Sequence, residues 1–332
     1  MKPVLGVLLG EAAGIGPEIV AKLCAEDRLL PYCWPVLMGD LRVFVKAQEI
    51  TGTSFPVTVI EDVSHANWEG PLPFLDLRDL DAATVKPGEL NAYSGRVTGN
   101  ALVKALQLSQ AGAWAGFVYG PVNKAALIRG GYKFEDPQHL FAHYLNWDGL
   151  FGEMNVLDEL WTFRVTSHIP LRQVSSALSQ KRVRDAIQLA HQTMTRAGFN
   201  RPHIAVAALN PHGGEWGACG TEETEIIRPA VEQARAEGIN VSGPYPADTL
   251  FIAAFRGKYD AVISMYHDQG QIATKLKGFK RGVTVGAGFP YAICTPAHGT
   301  AFDIAGKGIA DPEAMARAVI IAAKIAGWKK AN

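Results

Sequence analysis

The 332-residue chain is longer than one hydrophobic core usually serves, so two domains are expected. It is 48% hydrophobic and 19% charged, with 32 Lys+Arg against 32 Asp+Glu: a well-packed soluble protein with no electrostatic reason to bind nucleic acid or an anionic membrane. Cys24, Cys33, Cys219 and Cys294 lack CxxC spacing and no stretch approaches the roughly 20 apolar residues of a membrane helix, so a reduced, cytoplasmic protein is expected.

Val4–Leu9 reads as a buried strand, and Gly14-Ile-Gly-Pro-Glu18 turns it into a helix over Ile19–Ala25. Pro17 suits the first helical turn and Glu18 complements the helix N-terminus. The loop either cradles an anion or is a plain strand–turn–helix, being neither a Walker A motif nor GxGxxG. Strands over Val36–Met38 and Val57–Ile60 flank a helix over Leu41–Glu49. Pro71, Pro73 and Pro87 make residues 66–92 a long irregular connection. A helix over Val97–Ala111 leads to a strand over Gly116–Tyr119, which ends in Gly120-Pro-Val-Asn-Lys124. Asn123 and Lys124 there either reach into a cleft or cap and solvate the next helix. His139 and His143 follow at i, i+4 among aromatic residues; without an HExxH glutamate, one reads as a pocket histidine and the other as satisfied or exposed.

Trp161–Thr166 is a β run ending at Ser167-His168, and Val183–Ala197 is helical. Ile204–Leu209 is a strand ending in Asn210-Pro-His212. A helix runs from Thr221 to Glu237, and Gly243-Pro-Tyr-Pro-Ala-Asp248-Thr249 precedes another. Val262–Met265 is a short strand ending in Tyr266-His-Asp-Gln-Gly270. The cations Lys275, Lys277, Lys280 and Arg281, several glycines and His298-Gly-Thr-Ala301 follow, which looks like a site carried on loops. Pro312–Ala326 is a closing Ala-rich helix. A lone histidine after a strand is more often structural. His168, His212 and His267 are placed alike, and three neutral imidazoles with an open position make a divalent-metal site. Nucleophilic Ser/His/Asp catalysis lacks its GxSxG elbow.

Gly14-Ile-Gly-Pro-Glu18, Gly120-Pro-Val-Asn-Lys124, Ser167-His-Ile-Pro-Leu171, Leu209-Asn-Pro-His212, Pro246-Ala-Asp-Thr249, Tyr266-His-Asp-Gln-Gly270 and His298-Gly-Thr-Ala301 together resemble the 4-hydroxythreonine-4-phosphate dehydrogenase family of vitamin B6 (pyridoxine) biosynthesis. The resemblance spans nearly the whole chain. It implies an α/β fold of the isocitrate/isopropylmalate dehydrogenase type, with two α/β/α domains around a central cleft. The domains are expected over 1–130 plus 300–332 and over 131–299, the second carrying the metal histidines and the contacts of a homodimer. It implies NAD- or NADP-dependent oxidation of a secondary alcohol of a hydroxy acid, followed by decarboxylation. It further implies that His168, His212 and His267 hold one divalent ion (Zn, Co, Ni, Mn or Mg) with ligands from both subunits. Lys275 and Asp248 are the candidates for proton transfer or substrate charge pairing, and His139 joins Lys275 in binding substrate. His298, Gly299, Thr300 and Asp303 match the loop that receives the adenosine end of the cofactor in decarboxylating dehydrogenases.

Departures accompany the resemblance. The family's Gly-His-Thr-Glu loop reads Gln138-His139-Leu140-Phe141, the Asn and Arg that grip the substrate phosphate fall on Thr284 and Ile293, and Glu11-Ala12 stand where Asp-Pro is usual. The expected substrate is therefore a hydroxylated carboxylate without the phosphate, an aromatic cis-dihydrodiol carboxylate being the specific candidate. A phosphate acyltransferase on the same fold is the alternative of another class; it would need neither the three histidines nor the His298 loop. A metabolite-binding homologue without turnover is a third.

Overall fold

The structure, a computed structural model, describes residues 1–80, 84–278 and 281–329; Lys280 lies outside the described residues. In chain order the first elements are β1 (Val4–Leu8), α1 (Gly16–Ala25), β2 (Trp34–Gly39), α2 (Leu41–Thr51), β3 (Val57–Ile60), β4 (Leu72–Asp76), α3 (Ala92–Gln110), β5 (Gly116–Tyr119), α4 (Lys124–Arg129) and α5 (Pro137–Leu145). Then come β6 (Gly152–Leu157), β7 (Leu160–Arg164), α6 (Val174–Ala177), α7 (Gln180–Arg196), β8 (Ile204–Ala207), α8 (Arg228–Ala236), β9 (Val241–Tyr245), α9 (Ala247–Ala254), β10 (Ala261–Ser264) and α10 (His267–Gly278). The chain closes with β11 (Val283–Ala287), β12 (Ala292–Pro296) and α11 (Glu313–Ile325).

These elements form two compact units, Met1–Gly149 with Val283–Asn332, and Leu150–Gly282. In the first, the strand order is β3-β4-β2-β1-β5-β12-β11, parallel except for the antiparallel β11–β12 pair. Helix α1 packs on α2 and α11, and α3 packs on α4 and α5. Residues 131–149 and 283–299 therefore belong to this first unit. The expected boundaries put them in the second, but α5 packs on α3 and β12 pairs with β5.

In the second unit the order is β6-β7-β10-β8-β9, with β6 antiparallel to β7 and the rest parallel. Helix α7 shows why such segments fold locally. Val183, Ala186, Ile187, Ala190 and Met194 repeat at helical spacing and are buried, and the Ser179 side chain accepts the Arg182 N–H at 3.2 Å as N-cap. Under α9, Leu250 and Phe251 pack with Ala205, Ala207 and Val262 of the strands.

Three expectations need correction. Residues 72–76, read as irregular, form β4 between β3 and β2; Pro73 is tolerated because the ladder to β2 starts only at Phe74. The segment after β10 is not a loop but α10, so His267 opens a helix. The Gly- and Pro-rich run after it contains the β11–β12 hairpin, with Thr284 opposite Thr295.

Candidate functional site

Strands β7, β10 and β8 are parallel neighbours, so their carboxyl ends share one edge of the second unit's sheet, the edge where α/β sheets bind ligands. His168 follows the end of β7, His267 the end of β10, and His212 the end of β8. Asp248, in the first turn of α9, follows β9 at the same edge. The rings of His168 and His267 lie 5.8 Å apart between centroids. The ring nitrogens of the three histidines do not all come within 4.8 Å of one another in a single copy of the chain. His168 and His212 are exposed, as are Asp248 and Lys275. Lys275 stands two turns beyond His267 on the same face of α10, with Gln271 between them.

Gln269 ties the edge together. Its Oε1 accepts the Met265 N–H at 2.7 Å, and its Nε2 donates to the Ala208 carbonyl at 2.7 Å, so one amide joins the ends of β10 and β8. Thr166 Oγ1 donates to the Met265 carbonyl at 2.7 Å, joining β7 to β10. The Nδ1 of His267 is 2.6 Å from Asp268 Oδ1, an arrangement that leaves Nε2 as the lone-pair donor.

His212 sits in a turn of unusual backbone. His212, Glu215 and Trp216 have φ of 55°, 43° and 60°, the left-handed region that costs a non-glycine residue about 1–3 kcal/mol and that clusters at functional sites. Two carboxylates hold the entry to this turn. Buried Glu223 accepts the N–H groups of Leu209 and Asn210, both at 2.8 Å, and Asn210 Nδ2 at 3.0 Å. Glu222 accepts Asn210 Nδ2 at 2.7 Å and the Ser175 hydroxyl at 2.6 Å; these bonds, Ser175 first, hold its carboxyl below the usual range. A Cβ at Gly214 would stand 2.6 Å from Glu223 Oε2, so the turn needs glycine there. Both positioning groups escaped sequence reasoning. Glu223 read as part of a helix start, and Gln269 was visible only as one letter of a motif.

The remaining candidates belong to the first unit. His139 is the third residue of α5, its backbone N–H capped by Asp136 at 3.0 Å and its Nδ1 2.8 Å from the same oxygen. His143, exposed like His139, packs on Phe134 and Tyr144, with centroids at 5.2 and 5.1 Å. Leu140 and Phe141 are core residues, Phe141 stacking edge-on against Phe117, Tyr119 and Phe289. Ile293, beside Phe117 on β12, is 1% exposed. Asn123 caps α4, accepting the Ala126 N–H at 3.0 Å.

In the His298 loop, buried Thr300 accepts the Ile15 N–H through its carbonyl at 3.1 Å. A Cβ at Gly299 would meet nothing within 4 Å, so this glycine leaves open space. His298 Nδ1 lies 3.1 Å from the Gly299 carbonyl. The exposed Asp303 carboxylate makes no hydrogen bond among the described residues. Glu18 clamps the loop, accepting the N–H of Gly306 at 2.6 Å and of Gly308 at 2.8 Å. A largely apolar cavity of about 460 Å³ opens beside it, lined by Gly14, Glu18, Val43, Ala47, Ile50 and Gly306. Of the two readings of the Gly14–Glu18 turn, the structural one accounts for its glycines: a Cβ on Gly16 would stand 2.1 Å from the Leu9 carbonyl oxygen.

Residues 31–322 match the family model of the pyridoxal phosphate biosynthetic protein PdxA. A relative in Pseudomonas aeruginosa, a putative 4-hydroxythreonine-4-phosphate dehydrogenase 2, is 44% identical over 98% of both chains. One in Symbiobacterium thermophilum, a putative D-threonate 4-phosphate dehydrogenase, is 37% identical over 98% of this chain and 97% of that one. The crystal structure of 4-hydroxythreonine-4-phosphate dehydrogenase from Klebsiella pneumoniae superposes with a TM-score of 0.86 at 36% identity over 98% of both chains. That of a terephthalate 1,2-cis-dihydrodiol dehydrogenase from Burkholderia xenovorans reaches 0.67 at 26% identity over 97% of this chain and 98% of that one.

Proposed function

The chain belongs to the PdxA family, and on that premise we propose that it is a nicotinamide- and divalent-metal-dependent dehydrogenase oxidising a secondary alcohol of a hydroxy acid, with loss of CO2 from the resulting β-keto acid. The observation that carries this reading is that His168, His212 and His267 each follow the carboxyl end of one of three neighbouring parallel strands, at one edge of the sheet. Imidazoles suit Zn, Co, Ni or Mn, and the Asp268 partner of His267 is the kind of outer carboxylate that orients a ligating ring, so the donor set fits. When bound, such an ion polarises the substrate oxygen, and the nicotinamide accepts the hydride.

Lys275 pairs with the substrate carboxylate or relays a proton, with Asp248 as the second proton-transfer candidate and His139 as a further substrate contact. On the cofactor side, Gly299 leaves room for close approach, and the Asp303 carboxylate, without a hydrogen bond among the described residues, suits a ribose hydroxyl, which favours NAD over NADP. A second copy of the chain completes the metal site. The ring nitrogens do not gather in one copy, and the unit carrying them exposes Trp216 (99%), Leu276 (84%) and Ile272 (59%) on the elements that bear His212 and His267.

The substrate has a second reading. A dianionic phosphate wants bidentate Arg and fixed donors. The resemblance puts that Arg at Ile293, which lies in the core beside Phe117, and Leu140 and Phe141 are equally buried. This favours a hydroxylated carboxylate such as a cis-dihydrodiol acid over the phosphorylated acids named for the relatives. The deciding experiment is a side-by-side steady-state assay of NAD reduction with 4-hydroxythreonine 4-phosphate, D-threonate 4-phosphate and cis-dihydrodiol carboxylates. Turnover of a phosphorylated acid at kcat/KM above about 10⁴ M⁻¹s⁻¹ would overturn the second reading; turnover of none would overturn the first. Asp303→Ala is expected to weaken NAD binding while leaving metal content unchanged.

A further inference from the structure

We propose that Arg164, which no motif singles out, is a positioning residue that sets the relative placement of His168 and of the helix face bearing His267 and Lys275. The proposal rests on the metal reading above. Arg164 is the last residue of β7, and its side chain is only 6% exposed. Its Nε donates to Ser167 Oγ at 3.0 Å, its Nη1 to Asn155 Oδ1 at 2.6 Å, and its Nη2 to Glu153 Oε1 at 2.5 Å. The β6–β7 register, Asn155 opposite Thr162, continues to place Glu153 opposite Arg164.

Two of the three arms lead to site elements, while the third anchors the cation on Glu153 of β6. Ser167 is the residue before His168. Asn155 Oδ1 also accepts Gln271 Nε2 at 2.6 Å, and Gln271 lies one turn from both His267 and Lys275 on α10. One planar cation thus fixes a loop and a helix at once. A lysine cannot do this, since it keeps the charge but loses the fork that reaches three acceptors in fixed directions. The core strand position would suit an aliphatic residue. A guanidinium buried there costs desolvation, which its placement between the two histidine-bearing elements accounts for.

The test uses full-length wild type, Arg164→Lys, Ser167→Ala, the double variant and His168→Ala, each stripped with chelator and titrated with Co(II) while the visible ligand-field bands and the melting temperature are recorded. Arg164→Lys is expected to bind cobalt about 10–100-fold more weakly, the range for loss of an outer-shell partner, with altered bands. Ser167→Ala should show part of that loss, and combining the two should cost less than their sum. Wild-type affinity and bands in both single variants, with cobalt lost in His168→Ala, would overturn the role of Arg164 alone. Cobalt binding by His168→Ala equal to wild type would overturn the metal reading and this proposal with it. Should Arg164→Lys not fold, Ser167→Ala decides, since it removes one hydroxyl from a partly exposed position.

Discussion

Glu11 lies fully buried at the turn after β1, where the resemblance leads one to expect Asp. One of its oxygens accepts the Ser94 hydroxyl, and the other has no partner among the described residues. Burial pushes its carboxyl up from the ordinary 4.5, against the opposing bonds from Ser94 and Ala13. A carboxyl with a folded pKa above its unfolded one holds extra protons in the native state. It costs nothing below pH 4.5, and the fold loses stability as pH climbs from there to the raised pKa, the loss persisting above it. Glu11→Gln should therefore match wild type at pH 4 and exceed it at pH 8 in urea midpoint. A difference independent of pH would contradict this account. Gln269 makes the opposite kind of prediction. Gln269→Leu orphans the Met265 N–H and the Ala208 carbonyl, at a cost of about 1–3 kcal/mol for each. Chemical denaturation measures it, and a loss below about 0.5 kcal/mol, the level of an ordinary surface change, would show that the two strand ends hold without the amide.

Among elements, the turn over residues 211–217 depends most on a neighbour. Besides its internal bonds from the Gly213 N–H to the Asn210 carbonyl and from the Cys219 N–H to the Gly214 carbonyl, it rests on Glu223, at the start of the helix leading into α8, which supplies acceptors for Leu209 and Asn210. Glu223→Ala is expected to cost about 1–3 kcal/mol for the unpaired groups. It should also speed amide exchange over residues 208–217 while α7 keeps its protection; uniform exchange across the unit would mean that the turn is held by something else. The loop carrying His298 is clamped in the same manner by Glu18. Glu18→Gln removes one of two charge-assisted acceptors, so if this loop receives the cofactor as proposed, NAD binding should weaken several-fold. Equal affinity by titration would separate the loop from the cofactor.

For the whole molecule, the prediction concerns assembly. Ile272 and Leu276 are exposed one turn apart on α10, beside the face bearing His267 and Lys275. If a second copy covers them and completes the histidine set, Ile272→Asp with Leu276→Asp should give a monomer by sedimentation that also loses its high-affinity metal. A monomer that retains the metal would place all ligands in one chain. Among the described residues no helix is long and apolar enough to cross a membrane.

Much of this was legible in the residues alone. Strand ends followed by Gly, Pro, His and Asp located β7, β8 and β10 and their histidines, because a β-branched run reports a strand and a turn residue reports where it stops. The family could be read from motifs in fixed order, since each is a local arrangement of a turn and the residues it presents. Alternation and helical spacing could not report pairing. That β10 lies between β7 and β8, out of chain order, is decided by long-range ladders that pair Ala261 with Trp161 on one side and with Ile204 on the other, and only this order puts the histidines at adjacent strand ends. The same holds for β4, whose Pro73 reads as a break until β2 and β3 flank it, and for α10, whose glycines hid a helix that Gln269 and Gln271 anchor to β8 and β6. Arg164 is the sharpest case. Along the chain it is one cation in an apolar run; its meaning comes from Glu153, Asn155, Ser167 and Gln271, which folding gathers around a charge that could not otherwise be buried.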